Sequence, residues 1–321
     1  MMHVIETKNL TKRFGKLTAV NRLSFKVNEG EIFGLLGPNG AGKTTTLSML
    51  ATLLPPSAGT ASVGGFDVRK ESSKVRHSIG FVFQDPSSDD LLSGRENLYL
   101  HALMYGVDMR NINEKMDDVL KLVDLTARQH ERVRNYSGGM RRRLELARGL
   151  LHEPKILFLD EPTLGLDPQT RQHLWSYIKG LSKEKNVTII ITTHYMEEAD
   201  MLCDRLAIID HGRIVALDTP GNMKKKLGGD VIRLQVSRPN LAALKRLRYV
   251  KRVQRDNGVL VLTVTDASKH IQEILKAVGS VENVEMRAPT LNDVFLHYTG
   301  SEIRDQEGEG GFFERMVNSN R

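Results

Sequence analysis

With 321 residues, 40% of them hydrophobic and 26% charged, the chain is long enough for two domains with cores of their own, and its composition is that of a globular protein. Its 46 basic and 39 acidic side chains leave a formal charge of +7, which could serve nucleic acid or an anionic membrane face; without interleaved basic and aromatic residues it reads first as solvated surface. The chain has no apolar run near the roughly 20 residues that span a bilayer, no signal-peptide pattern at MMHVIETKNL, and one cysteine, Cys203, which excludes an internal disulfide framework and is expected as a small buried hydrophobe in a helix. A cytosolic protein is expected.

In chain order, "EIFGLLG" predicts a buried strand that runs into the glycine loop "GPNGAGKTT", Gly37 to Thr45, and then into the helical "TTTLSMLATLL". "IGFVF" predicts a second strand, ending before Gln84. From Asp85 to Arg134 strand-like runs give way to helical ones, which predicts a helical subdomain inserted in the core, about residues 85–150. "YSGGM", Tyr136 to Met140, then opens the helical "MRRRLELARGLL". "KILFLD" ends at Asp160 and "VTIIITTH" at His194, two more apolar runs of the kind that build parallel strands. The alternation predicts an α/β domain over residues 1–227, with its functional loops at the carboxyl ends of the strands. "KKKLGGD", Lys224 to Asp230, marks the expected boundary. Beyond it a strand, a helix, two strands meeting at Asn257-Gly258, a helix and a last strand predict a small ferredoxin-like α+β domain over 228–300. Residues 231–300 carry 11 basic and 6 acidic side chains, a net of +5, so much of the basic excess lies there. The glycine-rich tail, 301–321, is expected to be flexible.

The chemistry begins at "GPNGAGKT", which matches G-x-x-x-x-G-K-[ST] at Gly37, Gly42, Lys43 and Thr44 between a predicted strand and a predicted helix. Glycines let backbone N–H groups close around phosphate oxygens, and the helix N-terminus adds partial positive charge. Lys43 is placed to bridge the β- and γ-phosphates, and Thr44 to offer its hydroxyl to Mg²⁺. Such a site also needs a carboxylate for the metal and one for the attacking water. Asp160 and Glu161, at the end of "ILFLD", supply both, with Glu161 as general base or water-orienter. A lone Asp-Glu after a strand is usually a turn; paired with the loop at Gly37 it gains meaning. His194 and Gln84 end two further strands at the same predicted edge, within reach of the γ-phosphate and of metal or water.

"YSGGM" is a second phosphate-seeking loop, with Ser137 as N-cap and Gly138 and Gly139 permitting close backbone approach. A capped helix without a ligand is its plainest reading. The strand ends already complete the first site, however, so the loop is expected to serve a neighbour's nucleotide. Two chains packed head to tail would then form two identical sites.

These residues resemble the nucleotide-binding subunit of an ATP-binding cassette (ABC) transporter over roughly residues 3–225. The resemblance implies a Walker A loop of Gly37, Pro38, Asn39, Gly40, Ala41, Gly42, Lys43, Thr44 and Thr45, a Q-loop at Gln84 that also reaches the metal, a signature at Tyr136 to Met140, and a Walker B strand ending at Asp160 with Glu161 after it. It further implies a D-loop, Gly165-Leu166-Asp167, with Asp167 at the nucleotide, and a switch residue, His194. The signature departs from the commonest L-S-G-G-Q at Tyr136 and Met140, and Phe14 stands where a tyrosine commonly stacks on adenine. "YSGGMRRRLELARGLL" with "PTLNDVFLHYTG" is similar to the daunorubicin-resistance-type exporters, in which this subunit pairs with a separate multi-pass permease. That likeness implies ATP and Mg²⁺ as cofactors, a cassette dimer, a place on the inner face of the membrane, and permease contact near Asp85 to Tyr105. Arg141, Arg142 and Arg143 oppose the dipole of their helix and are expected as solvated surface or as partner contacts. The rival reading is a soluble cassette ATPase acting on ribosomes or nucleic acid. It is disfavoured by the single cassette and the absence of sustained heptads. A small-molecule kinase would have no use for the second loop. The transported substrate leaves no mark on this chain, since the permease would read it.

Overall fold

The computed structural model describes residues 3–236, 239–256 and 259–300. The chain divides between Leu217 and Asp218, before the boundary expected around Lys224 to Asp230, because the short helix that precedes those glycines packs within the second unit.

The elements up to the division are β1 (His3–Phe14), β2 (Leu17–Asn28), β3 (Ile32–Leu36), α1 (Lys43–Leu50), β4 (Ala58–Val63), β5 (Phe66–Asp67), α2 (Ser72–Ser78), β6 (Ile79–Val82), α3 (Gly94–Met104), α4 (Ile112–Leu122), α5 (Gly138–Leu150), β7 (Ile156–Asp160), α6 (Pro168–Lys185), β8 (Thr188–Thr193), α7 (Met196–Leu202), β9 (Arg205–Asp210) and β10 (Arg213–Asp218). They form a six-stranded sheet of order β10-β9-β3-β8-β7-β6 and a four-stranded sheet of order β2-β1-β4-β5. In the larger sheet β9, β3, β8, β7 and β6 run parallel. The strands β3, β7 and β8 are buried along their whole length, which is why they read as continuous apolar runs.

The antiparallel sheet was not anticipated. Its long strands alternate buried and exposed positions, and the β1–β2 pairing shifts register several times between His3 and Arg13. Bulges of that kind break the period-2 pattern on which recognition depends. Phe25 of β2 stacks on Phe33 of β3 with ring centroids 5.2 Å apart, joining the two sheets. Helix α1 packs against β2 and β4 of one sheet and β7 and β8 of the other, so the loop that feeds it is braced from both sides.

The expected helical insertion is present. Between Asp85 and Arg134 lie α3, α4 and two short 3₁₀ turns, and α3, α4 and α5 pack on one another. Helix α3 starts at a capping box in which Ser93 and Glu96 satisfy each other's backbone N–H groups. Cys203 is buried as expected, but it caps the end of α7 instead of lying within it. No helix among the described residues is long and apolar enough to cross a membrane.

The second unit comprises α8 (Pro220–Lys226), β11 (Asp230–Gln235), α9 (Leu241–Arg246), β12 (Val250–Asp256), β13 (Val259–Val264), α10 (Ala267–Val278), β14 (Asn283–Arg287) and α11 (Leu291–Thr299). Its sheet order, β12-β13-β11-β14, is fully antiparallel and ferredoxin-like. Ile232, Leu234, Leu262, Ile274 and Val278 form its core. The residues of the expected hairpin turn, Asn257 and Gly258, and of the expected tail, 301–321, lie outside the described residues.

Candidate functional site

Strand register brings the candidate residues together. Leu36 pairs with Thr193, Asp160 with Thr192, and Val82 with Leu159. The residues that follow, Gly37, His194, Glu161 and the Phe83–Gln84 segment, therefore leave the sheet at one edge.

Glycine is required in the first loop by close approach. A Cβ at Gly37 would stand 2.2 Å from the Ile209 carbonyl oxygen, and one at Gly42, whose φ is +100°, 2.5 Å from that of Ala19. Gly42 is the N-cap of α1. Pro38 is half-buried, Asn39 and Gly40 are exposed, Ala41 is buried, and Thr44 and Thr45 are half-buried. The buried Lys43 Nζ donates to the carbonyls of Gly37 at 2.9 Å and Pro38 at 3.1 Å, and stands 3.3 Å from Glu161 Oε1. Burial lowers the Lys43 pKa, and the charge of Glu161 partly offsets that.

Asp160 is buried at the end of β7. Its Oδ1 accepts from the Thr44 hydroxyl at 3.0 Å and from the Thr192 hydroxyl. Burial raises its pKa, against the pull of both hydroxyls. A hydroxyl and a carboxylate that already meet are oxygen donors suited to a hard cation such as Mg²⁺. No group of three His, Cys, Asp or Glu that could hold a metal occurs among the described residues, so such a cation would keep most of its shell as water and phosphate oxygen.

Glu161 has a left-handed backbone, φ +46°. Its N–H is held by Thr192, by the carbonyl at 3.2 Å and the hydroxyl at 3.0 Å. His194 Nδ1 lies 3.1 Å from Glu161 Oε2. Burial pushes the Glu161 carboxyl up, but His194 and Lys43 together outweigh it and hold the group below its ordinary value. Gln84 is half-buried just after β6, and its backbone carbonyl accepts from Arg142 at 3.4 Å. Phe14, at the end of β1, packs on the first core with the Lys12 ammonium 5.1 Å from its ring centroid.

Ser137 caps α5, accepting from the Met140 N–H at 3.3 Å, and Ser137 and Gly138 are exposed. Tyr136, the departure at the head of the motif, is buried and donates from its hydroxyl to the Arg128 carbonyl at 2.8 Å. Asp167 is the N-cap of α6, with Oδ1 accepting from the Thr170 N–H at 2.9 Å.

Of the arginine run, Arg142 is buried and so departs from the expected solvated surface, whereas Arg141 and Arg143 are half-buried. Arg141 pairs with Asp90, and Arg143 reaches the carbonyls of Val123 and Asp124, each at 3.1 Å. Arg142 is buried among backbone carbonyls at the end of β7 and after β6. Sequence reasoning missed Arg142 as a site residue, and missed Thr192. Each had a signal. A cation at a helix start opposes the dipole and so needs strong partners, and "TT" before His194 places hydroxyls in an otherwise apolar strand.

A braced glycine loop at a helix start, a histidine at the end of the adjacent strand β8 and a buried Asp-Glu pair at the end of β7 beyond it define an ATP-hydrolysing P-loop cassette. A family model described as "ABC transporter" matches residues 20–164, and one described as "ATP-binding protein DrrA1-3-like, C-terminal domain" matches 219–299. The chain is 38% identical to the linearmycin resistance ATP-binding protein LnrL of Bacillus subtilis (strain 168), over 94% of this chain and 100% of the relative. It is 41% identical to the daunorubicin resistance ATP-binding protein DrrA3 of Streptomyces coeruleorubidus, over 92% of this chain and 96% of the relative. A solved dimeric ATP-binding cassette, in a post-hydrolysis state with ADP and Pi, superposes with a TM-score of 0.62 at 26% identity, covering 67% of this chain and 98% of that one. The chain belongs to the ATP-binding subunits of ABC transporters, with a DrrA-like C-terminal domain, and is an ATPase.

Proposed function

We propose that the chain drives an exporter: two cassettes close on shared ATP, and a separate multi-pass permease at the inner face of the membrane converts that closure into export. The observation that carries the reading is the Lys43–Glu161–His194 cluster at the sheet edge, with Glu161 buried between two groups that a γ-phosphate would attract. The names of its relatives, resistance and export proteins, support the direction of transport. Tyr99, Leu100, Leu103 and Met104 form an exposed apolar stretch on α3, which supports permease contact near Asp85 to Tyr105.

In this reading the N–H groups of Gly40 to Thr45 and the Lys43 ammonium cradle the phosphates, and Phe14 stacks on adenine. Thr44, Asp160 and Gln84 are the residues that would hold Mg²⁺, and the ion would supply charge neutralisation on the phosphates. When phosphate oxygens draw Lys43 and His194 away, Glu161 loses the two groups that hold its pKa down while its burial persists. Its pKa then rises toward the range of a useful base. Glu161 orients the attacking water and takes its proton, and ATP and water become ADP and phosphate. Ser137, Gly138 and Gly139 of the partner cassette close over the γ-phosphate, with Asp167 beside the junction.

The test uses tagged Glu161→Gln protein, captured with ATP from detergent-solubilised membranes of its own host. The variant is expected to bind ATP, to dimerise and to bring down a multi-pass protein in stoichiometric amount. Near-normal turnover would remove Glu161 from its role. Ribosomal proteins or nucleic acid, with no membrane partner, would replace the exporter reading with a soluble one.

A further inference from the structure

Arg142 is 6% exposed and spends its guanidinium on four backbone carbonyls. Nε donates to Pro162 at 2.7 Å, one terminal nitrogen to Asp160 at 2.9 Å, and the other to Phe83 and, at 3.4 Å, to Gln84. Asp160 and Pro162 are the residues on either side of Glu161, whose backbone is left-handed. The guanidinium thus brackets the turn that presents Glu161, while its other arm grips the segment leaving β6. Burial lowers its pKa to about 10, so it stays charged at neutral pH.

The rest of α5 extends the grip. Glu145, one turn on, accepts from the Ser87 hydroxyl at 3.0 Å and the Ser88 N–H at 2.9 Å. Arg148, a turn further, donates to Ser87 Oγ and Glu145 Oε1, each at 2.9 Å. Side chains three apart share a helix face, so one row of α5 holds the Phe83–Ser88 segment, and the same helix begins at Ser137.

We propose that Arg142 is a positioning residue for Glu161, making the place of that carboxylate depend on the place of the Phe83–Ser88 segment. A shift of that segment is then felt at the reacting water without any change at the nucleotide loop. This rests on the reading of Glu161 as the residue that handles water. A lysine at 142 would keep the charge but could not fork to carbonyls on two sides.

The experiment compares full-length wild type, Arg142→Gln, Arg142→Lys, Glu161→Gln and the Arg142→Gln/Glu161→Gln double variant. It measures the ATP dissociation constant, the single-turnover rate and the thermal midpoint of each. Arg142→Gln is expected to slow turnover by about 30-fold or more while ATP affinity stays within about threefold, and Arg142→Lys to recover only part of the loss. Added to Glu161→Gln, Arg142→Gln is expected to cost less than about twofold more, because a residue acting through Glu161 has nothing left to position. Full multiplication of the two losses, or a rate loss matched by an equal loss of ATP affinity, overturns the proposal. If Arg142→Gln does not fold, Arg142→Lys carries both comparisons. Undiminished turnover in Glu161→Gln alone is the separate sign that the Glu161 reading has failed, and this proposal falls with it.

Discussion

Thr192 offers the most direct test of how the Asp160 carboxylate is held. It is fully buried on β8. Its hydroxyl donates to Asp160 Oδ1 and accepts the Glu161 N–H at 3.0 Å. Thr192→Val keeps the shape and removes both bonds. The bond to an ionised carboxylate is worth about 1.5–3 kcal/mol, and the lost partner of the Glu161 N–H less than about 1 kcal/mol, since the Thr192 carbonyl still lies 3.2 Å away. A loss of about 2–3 kcal/mol corresponds to a fall of about 4–12 °C in melting temperature for a unit of this size.

The loss should depend on pH in a definite direction. Burial raises the Asp160 pKa and Thr192 is the largest influence lowering it, so the variant raises it further. A carboxyl whose folded pKa exceeds its unfolded value favours the fold below the unfolded pKa, and that advantage is lost as pH rises through the folded value. The penalty of Thr192→Val is therefore no smaller at pH 8 than at pH 5, and half-maximal turnover is expected to need more Mg²⁺. Thermal unfolding at the two pH values and a Mg²⁺ titration of ATPase rate read both effects, and Thr192→Ser should restore them. A fall of under about 2 °C at pH 8, or a serine variant as damaged as the valine one, would refute the reasoning.

Two further outcomes are expected. Ser137→Arg removes an exposed N-cap worth about 1 kcal/mol, so the chain still folds and binds ATP, but hydrolysis drops by about 100-fold or more; full activity in a turnover assay would sink the shared site. His101 is pushed down to about 3, first by burial, then by Arg148 and His152, and its Nε2 has no hydrogen-bond partner among the described residues. The unfolded chain takes up a proton below about 6.5 that the folded chain refuses until about 3, so stability falls with falling pH across that window, by at most about 1.4 kcal/mol per unit. His101→Phe, which keeps the stacking on Tyr105, is expected to reduce the loss between pH 6.5 and 5 in urea titrations by about 1 kcal/mol; an unchanged pH dependence would show that another group is responsible.

Much of this molecule was legible in the one-dimensional chain. Apolar runs marked β3, β6, β7 and β8, because strands covered on both faces carry mostly apolar side chains. The glycine loop was legible as a motif, and packing supplies a reason for glycine at Gly37 and Gly42, where a Cβ would meet the carbonyls of Ile209 and Ala19. The second unit's order of elements was readable for a related reason: each of its short elements carries its own period. The antiparallel sheet was not, because its alternation is interrupted wherever β1 slips register against β2. Three-dimensional packing alone decided the rest. Asp160, Thr192 and Glu161 meet because parallel register sets the ends of β7 and β8 side by side, a spacing that no sequence distance encodes. Arg142 looks like surface in a run of three arginines; it is buried because α5 faces the ends of β6 and β7, where four backbone carbonyls accept from its guanidinium.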